Sequence, residues 1–350
     1  MKVNFKSLRN QGYTLAESLA ELVDNSIKAQ AKNVEIYLYF ADDPFILTVD
    51  DGFGIDENEI ENKALVVPDD NSKYEDSGPD DLGRYGLGLK QGTFANCKSL
   101  TILSKKDNFA YKSQHIDQDQ PNESLPKCVS SNSIVKSKIE DLKKSKSGTI
   151  ILWTELDNLM KRTDSSTNNF YDHVERTQKH FRMIYYKRIL KNKLNLFFQG
   201  SEDINRLKPI DPFYEHMKET IKLEDIPINL KGSQIILKPF IIPKDISVEN
   251  FNKNGNELQG LYFSRKDRII DFGGWFELDT ESNTRLVNSD RFNRLRILVE
   301  LPINDIDLWL PSQKNRVNIP DFFKKTMLQK VIKIRQDYTY KTKTKKDNNE

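Results

Sequence analysis

Leu15, Leu19, Leu22, Val23 and Ile27 recur at helical spacing and share one arc at about 100° per residue. Glu17, Glu21, Asp24, Asn25 and Lys28 share the opposite arc. The pattern predicts an amphipathic helix, and the capping-box spacing of Thr14 and Glu17 sets its start. Two runs with strand patterning follow, NVEIYLYF and FILTVDDG. The stretch from Ile55 to Gly86 is acidic, gathers Pro and Gly toward its end, and reads as a mobile connection. LGLKQGTFANC then suits a helix start, and SLTILSK and GTIILWTEL read as strands. Between those strands, residues 107–147 are polar and rich in Ser, Lys and Asn, which predicts a surface excursion around short strands.

The pattern changes near residue 157, where a domain boundary is expected. YDHVERTQKHFRMIYYKRILKN reads as helix; KLNLFFQ, SQIILKPFIIP, GLYFSRKDRIID and LRILVELP read as strands. Residues 326–350 form a basic helix and tail, and their final KTKTKKDNNE is expected to be disordered. No internal repeat is present.

Length and composition narrow the class. A chain of 350 residues suits about two domains. Apolar residues make up 37% and charged residues 30%, polar for a globular protein, but 10% aromatics argue against wholesale disorder. A net charge of +2 gives no global attraction to nucleic acid or membrane. Cys97 and Cys128 lack the spacing of a disulfide framework or a zinc site, and a reduced, cytoplasmic protein is expected. The opening MKVNFKSLRNQGYT has no apolar centre and is not read as a signal peptide. No apolar run approaches the roughly 20 residues that span a bilayer, so no membrane partner is expected.

Three glycine-bearing stretches carry candidate chemistry. VDDGFGI holds Asp50, Gly52 and Gly54; GRYGLGLK holds Gly83, Arg84, Tyr85, Gly86, Leu87, Gly88 and Lys90; SGTIIL holds Gly148 and Thr149. Glycines let backbone approach a ligand, and a glycine loop opening a helix offers free N–H groups to phosphate oxygens. Asp50 ends a β-branched run, so its carboxylate needs a donor if it is partly buried, and an adenine amino group is one. Each stretch alone is weak. The Glu21–Asn25 pair alone reads as a solvated helix face. DDGFGID alone reads as a turn or a fragment of a calcium loop without the remaining ligands. GRYGLG follows an acidic loop, where a dinucleotide fingerprint would follow a strand.

Their order is informative. E-x-x-x-N on a helix, D-x-G-x-G after a strand, G-x-x-G-x-G before a helix and G-T opening a strand occur in series. This series resembles the GHKL ATPase superfamily: gyrase, heat-shock chaperone, histidine kinase and MutL. The resemblance implies an α+β protein. Residues 1–156 would form a Bergerat-fold α/β sandwich, a mixed sheet with helices on one face, with an ATP lid at residues 56–82. It further implies that Glu21 polarises the water attacking the γ-phosphate and that Asn25 coordinates Mg²⁺. Asp50 would read adenine, with Thr149 supporting it through water. Gly54 would lie beneath the base, beside Gly52, and Gly83 to Gly88 would form the lid hinge and phosphate cradle. A helical i, i+4 pair projects from one face, so Glu21 and Asn25 can hold a water and a metal side by side.

The branch follows from further positions. Histidine kinases normally carry asparagine where Glu21 stands, and only 13 residues precede Thr14, which disfavours a kinase. GRYGLGLKQGTFANCKSLTILSK resembles the MORC-type branch, with Lys90 as a phosphate contact or helix-start cation. GLYFSRKDRIID and NRLRILVELP resemble strands of the ribosomal-protein-like α/β transducer domain of MutL, gyrase and MORC proteins, here residues 157–325. Lys314 in WLPSQKNRV matches the transducer lysine that reaches the γ-phosphate and would assist catalysis. The resemblance implies ATP and Mg²⁺ as cofactors, slow hydrolysis, lid closure and an ATP-dependent homodimer clamp acting on DNA or a partner protein. The segment before Thr14 would be the exchanged arm. A nucleotide-sensing assembly module with little turnover is the alternative. The other basic feature, Lys324 to Lys346, reads as a helix face with a solvated tail or as a phosphate contact.

Overall fold

The computed structural model describes the chain except residues 1–4, 11, 41–42, 66–87, 200–203, 231–232, 245–254, 279–285, 302–308, 310–316 and 348–350. The chain divides into two compact units. One is Met1–Arg182 with Arg188–Lys208; the other is Met183–Lys187 with Pro209–Glu350.

The first unit is built on a seven-stranded sheet of order β4-β3-β5-β2-β1-β6-β7. Its strands are β1 (Asn33–Tyr39), β2 (Phe45–Asp50), β3 (Ser99–Lys105), β4 (Phe109–His115), β5 (Gly148–Thr154), β6 (Asn195–Gln199) and β7 (Ile204–Arg206). β1 pairs parallel with β6, and all other neighbours are antiparallel, so the sheet is mixed. Alternation sorts the side chains. Phe45, Leu47, Leu103, Ile150 and Leu152 form a core with Val135, Ile139 and Leu142 of a helix on one face. Ile46, Thr48, Asp50, Ser104 and Thr149 therefore point to the other face.

The helices of this unit are α1 (Leu15–Lys28), α2 (Glu57–Glu59), α3 (Gly88–Phe94), α4 (Cys128–Ser131), α5 (Ser133–Lys144) and α6 (Asp157–Arg162), with α7 (Thr167–Ile184) following. The predicted capping box is present: Thr14 Oγ1 accepts from Glu17 N at 3.2 Å, and Thr14 N donates to Glu17 Oε2 at 2.8 Å. α5 covers the sheet face opposite Asp50, so helical cover is not confined to one face. The polar stretch 107–147 holds β4, α4 and α5, because Val135, Ile139 and Leu142 repeat at helical spacing within it.

The first unit runs past the expected boundary at 156. Leu196 and Phe198 of β6 are buried, and the strand extends the sheet beside β1. The segment expected to act as an exchanged arm lies on its own unit. Phe5–Asn10 is a 3₁₀ helix packed on α3, and Arg9 donates to Cys97 O at 3.2 Å and to Asp157 Oδ2 at 2.6 Å. Cys97 and Cys128 are both buried free thiols.

The chain continues through α8 (Tyr186–Leu190) into the second unit. Its sheet has the order β12-β11-β13-β10-β8, with β9 also on β10. The strands are β8 (Ile221–Lys222), β9 (Ile226–Leu230), β10 (Ser233–Ile241), β11 (Gly260–Arg265), β12 (Arg268–Phe272) and β13 (Leu295–Glu300). α9 (Gly255–Leu258) precedes β11, and α10 (Asp321–Asp347) closes the chain. Phe323, Met327, Leu328, Val331, Ile334 and Tyr338 of α10 join the core of this sheet, which holds the helix in place far beyond what its own propensity would. Among the described residues no helix is long and apolar enough to cross a membrane.

Candidate functional site

The site lies where α1, α3 and the Asp50 end of β2 converge. α1 was expected to expose the arc carrying Glu21 and Asp24. Instead Glu21 is 5% exposed and Asp24 1%. The reading of a solvated helix face is thereby removed for Glu21. Asn25, one turn on, is exposed.

Gly88 explains how the Glu21 carboxylate fits. A Cβ at position 88 would stand 2.0 Å from Glu21 Oε2 and 2.6 Å from its Cδ. Only a residue without a side chain leaves that carboxylate in place at the opening of α3. One turn later, Gly92 lets α3 approach α1, since a Cβ there would meet Ser18 Cα at 3.1 Å. Asn96 fixes the contact by donating to Ser18 Oγ and to Gly92 O, each at 2.7 Å.

Asp50 sits at the end of β2, on the sheet face that meets α1. Its carboxylate accepts from Ser26 Oγ at 2.9 Å and from Gly52 N at 2.9 Å. Burial pushes its pKa up to about 6, against the pull of the Gly52 and Ser26 donors. The Thr149 backbone also donates to it and lowers its pKa in turn. The backbone beyond it turns tightly. Gly54 has φ +77°, and a Cβ there would lie 2.0 Å from Lys105 O, so the position demands glycine twice over.

Thr149 is buried opposite Asp50 in the β2–β5 register. Its Oγ1 lies 3.0 Å from Ser104 Oγ. The Ser104 hydroxyl donates to Gly148 O and accepts from Ile55 N, both at 2.8 Å. It thereby ties β3, β5 and the glycine turn into one floor.

Lys90 is 2% exposed, which excludes a solvated lysine. Burial lowers its pKa to about 8, and its Nζ donates to Lys63 O at 3.3 Å. Lys63 belongs to a π-helical turn, Ile60–Ala64, at the root of the expected lid. Ion pairs of Lys106 with Asp56 (3.4 Å) and Glu59 (3.0 Å) hold that root to the β3–β4 hairpin. Near Lys90, Tyr13 is buried and donates to Gln91 Oε1 at 3.4 Å. Burial, then Glu21 and Glu17, push its phenol well above the usual range.

Gly83, Arg84, Tyr85, Gly86 and Leu87 lie outside the described residues, as do Lys314 and most of the lid, from residue 66 on. The described candidates, Glu21, Asn25, Asp50, Gly52, Gly54, Gly88, Lys90 and Thr149, all lie in the first unit. Two further residues, Ser26 and Ser104, escaped the sequence reading. Each is a hydroxyl at a position its own pattern marks as apolar. Ser26 lies in the middle of the arc of Leu15, Leu19 and Leu22, and Ser104 follows Leu100 and Ile102 on the same face of β3.

The donor set bears on Mg²⁺. Among the described residues no three His, Cys, Asp or Glu side chains gather as a metal cage. The exposed amide of Asn25, one turn beyond Glu21 on α1, fits a hard ion that keeps its waters and takes most ligands from substrate phosphates.

Residues 13–149 match the family of histidine kinase-, DNA gyrase B- and HSP90-like ATPases. They form a GHKL-type ATPase domain. Its limits run from the buried Tyr13 to Thr149, so they enclose every described site residue. Part of the chain is similar to MORC ATPases. Mouse ATPase MORC2B is 35% identical over 95 residues, 26% of this chain and 9% of that protein. ATPase morc-1 of Caenorhabditis elegans is 31% identical over 109 residues, 30% of this chain and 12% of that protein. The chain thus spans about a tenth of the length of the curated relatives it matches. Over 99% of both chains, the fold is similar to the crystal structure of the N-terminal domain of a DNA repair protein, with a TM-score of 0.55 and 15% identity. That likeness concerns fold alone.

Proposed function

We propose that this protein binds ATP with Mg²⁺ in the GHKL domain and hydrolyses it slowly. The observation that carries the reading is the Glu21 carboxylate, buried and lodged against the glycine that opens α3. A carboxylate at the opening of a helix can orient a water and take its proton, while helix-start N–H groups can receive phosphate oxygens. Asp50, ionised, accepts from the adenine amino group. Ser26 and Gly52 N hold the Asp50 carboxylate in line, and the Ser104–Thr149 pair braces the strand beneath it. Asn25 is the protein's ligand to Mg²⁺, which neutralises phosphate charge when bound. Lys90 links the phosphate face to the lid root through Lys63 O.

Beyond the domain, ATP closes the lid, Lys314 of a transducer-like second domain contacts the γ-phosphate, and two protomers form a clamp on DNA or a partner protein. The resemblance of WLPSQKNRV supports the lysine; the N-terminal segment, docked on its own unit, would have to detach in any exchange.

The test is Glu21→Gln. Nucleotide affinity should stay within a fewfold of wild type, and phosphate release should fall on the order of 10²–10⁴-fold. Comparable turnover in the two proteins refutes the assignment. Absence of turnover in wild type, with ATP still bound, selects the nucleotide-sensing module.

A further inference from the structure

The sheet face that packs on α5 changes character at the end away from Asp50. Its core positions are apolar: Phe45, Leu47, Leu103, Ile150 and Leu152. At that end the register sets Ser99 of β3 opposite both Thr154 of β5 and His115 of β4. Side chains directly opposite one another share a face, so two hydroxyls and an imidazole stand where this face is otherwise apolar. A cavity of about 480 Å³ is lined by this row, with further walls from segment 118–128 and from Asp43, Pro44 and Glu155. A volume of that size suits a small molecule.

The fold does not use up the polar groups of the row. Ser99 is 8% exposed, yet its hydroxyl has no hydrogen-bond partner among the described residues, and the same holds for the Thr154 hydroxyl. One row further in, Thr101 and Ser113 bond each other at 2.7 Å. A buried hydroxyl is costly without a partner, so the outer row suits a ligand that supplies one.

Charge decides the class of ligand. Glu155 follows β5 with φ +55°, a left-handed conformation uncommon for a residue with a side chain. Its carboxylate lies 3.3 Å from His115 Nε2; β3 runs between β5 and β4, so the side chain reaches across the Ser99 end of β3. His115 Nδ1 accepts from Asp117 N at 3.2 Å, so the ring offers Glu155 a hydrogen bond but no full counter-charge. Asp43 is exposed and has no ion-pair partner among the described residues. Its charge reaches the cavity wall, since it adds to burial in pushing the Cys128 thiol up to about 11. Against these two carboxylates the described lining sets one ammonium, that of Lys127. An anion would meet both carboxylates; a cation is favoured. Among the described residues no three His, Cys, Asp or Glu side chains gather around a metal, so the fitting cation is organic. A primary ammonium has three donors, matching one carboxylate and two hydroxyls.

We propose that this cavity binds a small aliphatic primary amine, its ammonium group held by the Glu155 carboxylate and the Ser99 and Thr154 hydroxyls and its stem lying against Pro44, Leu125 and Pro126. The site is separate from the nucleotide site. Ser99 and Ser104 stand near opposite ends of β3, about 17 Å apart along the strand, and the proposal does not depend on the reading of the ATP site.

The test titrates the full chain with butylammonium chloride at constant ionic strength, with and without a non-hydrolysable ATP analogue, and follows backbone amide resonances. n-Butanol and sodium butyrate are the neutral and anionic controls. Butylammonium should saturate at a concentration on the order of millimolar, since so small a ligand carries little binding energy. It should shift the resonances of Ser99, His115, Cys128 and Thr154 whether or not the analogue is present. The two controls should bind about tenfold more weakly or worse. Glu155→Gln changes an exposed residue and should weaken butylammonium about tenfold, and Ser99→Ala should weaken it severalfold. Melting temperature and affinity for a fluorescent ATP analogue should be unchanged in both variants, which separates failure here from failure at the ATP site. Three outcomes overturn the proposal: no saturable shift at these resonances with butylammonium, equal binding of n-butanol or butyrate, or butylammonium binding unchanged in both variants.

Discussion

Gly88→Ala would test the catalytic geometry more sharply than removal of Glu21 itself. The added methyl would stand 2.0 Å from Glu21 Oε2, 2.6 Å from Cδ and 3.2 Å from Cγ, where ordinary contact begins at 3.4 Å. The carboxylate tip must retreat by about 1.4 Å, and a misplacement of about 1 Å can cost on the order of 10²-fold in rate. That loss corresponds to about 2.7 kcal/mol of transition-state stabilisation. The fold itself should not suffer, because the clashing atoms end a flexible side chain. Alanine is also favoured over glycine in a helix by about 0.8–1 kcal/mol. The assay is phosphate release at saturating ATP, with thermal melting and nucleotide affinity measured on the same protein. Gly88→Ala should melt at or slightly above wild type and turn over on the order of 10²-fold more slowly. Combined with Glu21→Gln it should cost little more than Glu21→Gln alone, since both act on one carboxylate. Wild-type turnover in Gly88→Ala would refute the argument, as would lost ATP affinity with bound nucleotide still hydrolysed normally.

Asp50 gives a pH prediction. Burial raises its pKa to about 6, so the unliganded folded protein holds the proton more tightly than the unfolded chain, and this group adds stability as pH falls through 6. Adenine binding needs the ionised acceptor. ADP affinity should therefore be level above about pH 7 and fall by up to tenfold per unit below about pH 6, and Ser26→Ala should move that fall to higher pH by removing a donor. Calorimetry decides it; level affinity through this range in both proteins contradicts the role given to Asp50. Gly54→Ala should behave unlike Gly88→Ala. The φ of +77° and the backbone oxygen 2.0 Å away cannot yield as a side chain does, so a loss of about 3 kcal/mol or more is expected. An unchanged melting temperature would show that the turn relaxes.

The sequence made the first unit legible because its signals are local. A capping box, a helical arc and a strand ending in aspartate each occupy a few neighbouring residues, and the family resemblance rested on their order. What it hid were cross-chain contacts. Glu21 reads as solvated when α1 is taken alone, since its arc is polar; only the approach of α3, permitted by Gly88 and Gly92, buries it. β6 and β7 read as part of the second half because they lie beyond α7 in sequence. Yet Val34 pairs with Leu196 and Ile36 with Phe198 in parallel register, a pairing no local pattern encodes.

Ser26 and Ser104 show the same limit from the opposite direction. Both occupy positions where the period calls for an apolar side chain, and both fill them with a hydroxyl. A buried hydroxyl without a partner is costly, so each had to have one, and the partners are Asp50 and Thr149, opposite each other in the β2–β5 register. A polar residue inside an otherwise apolar period is thus a pointer to a site as informative here as the glycine motifs. It names no partner until the strands are placed, because Asp50 lies 24 residues from Ser26 and Thr149 lies 45 from Ser104. Ser99, His115 and Thr154 follow the same logic outside the ATP site. They are distant in sequence, and only the register of β3, β4 and β5 sets them in one polar row on an apolar face.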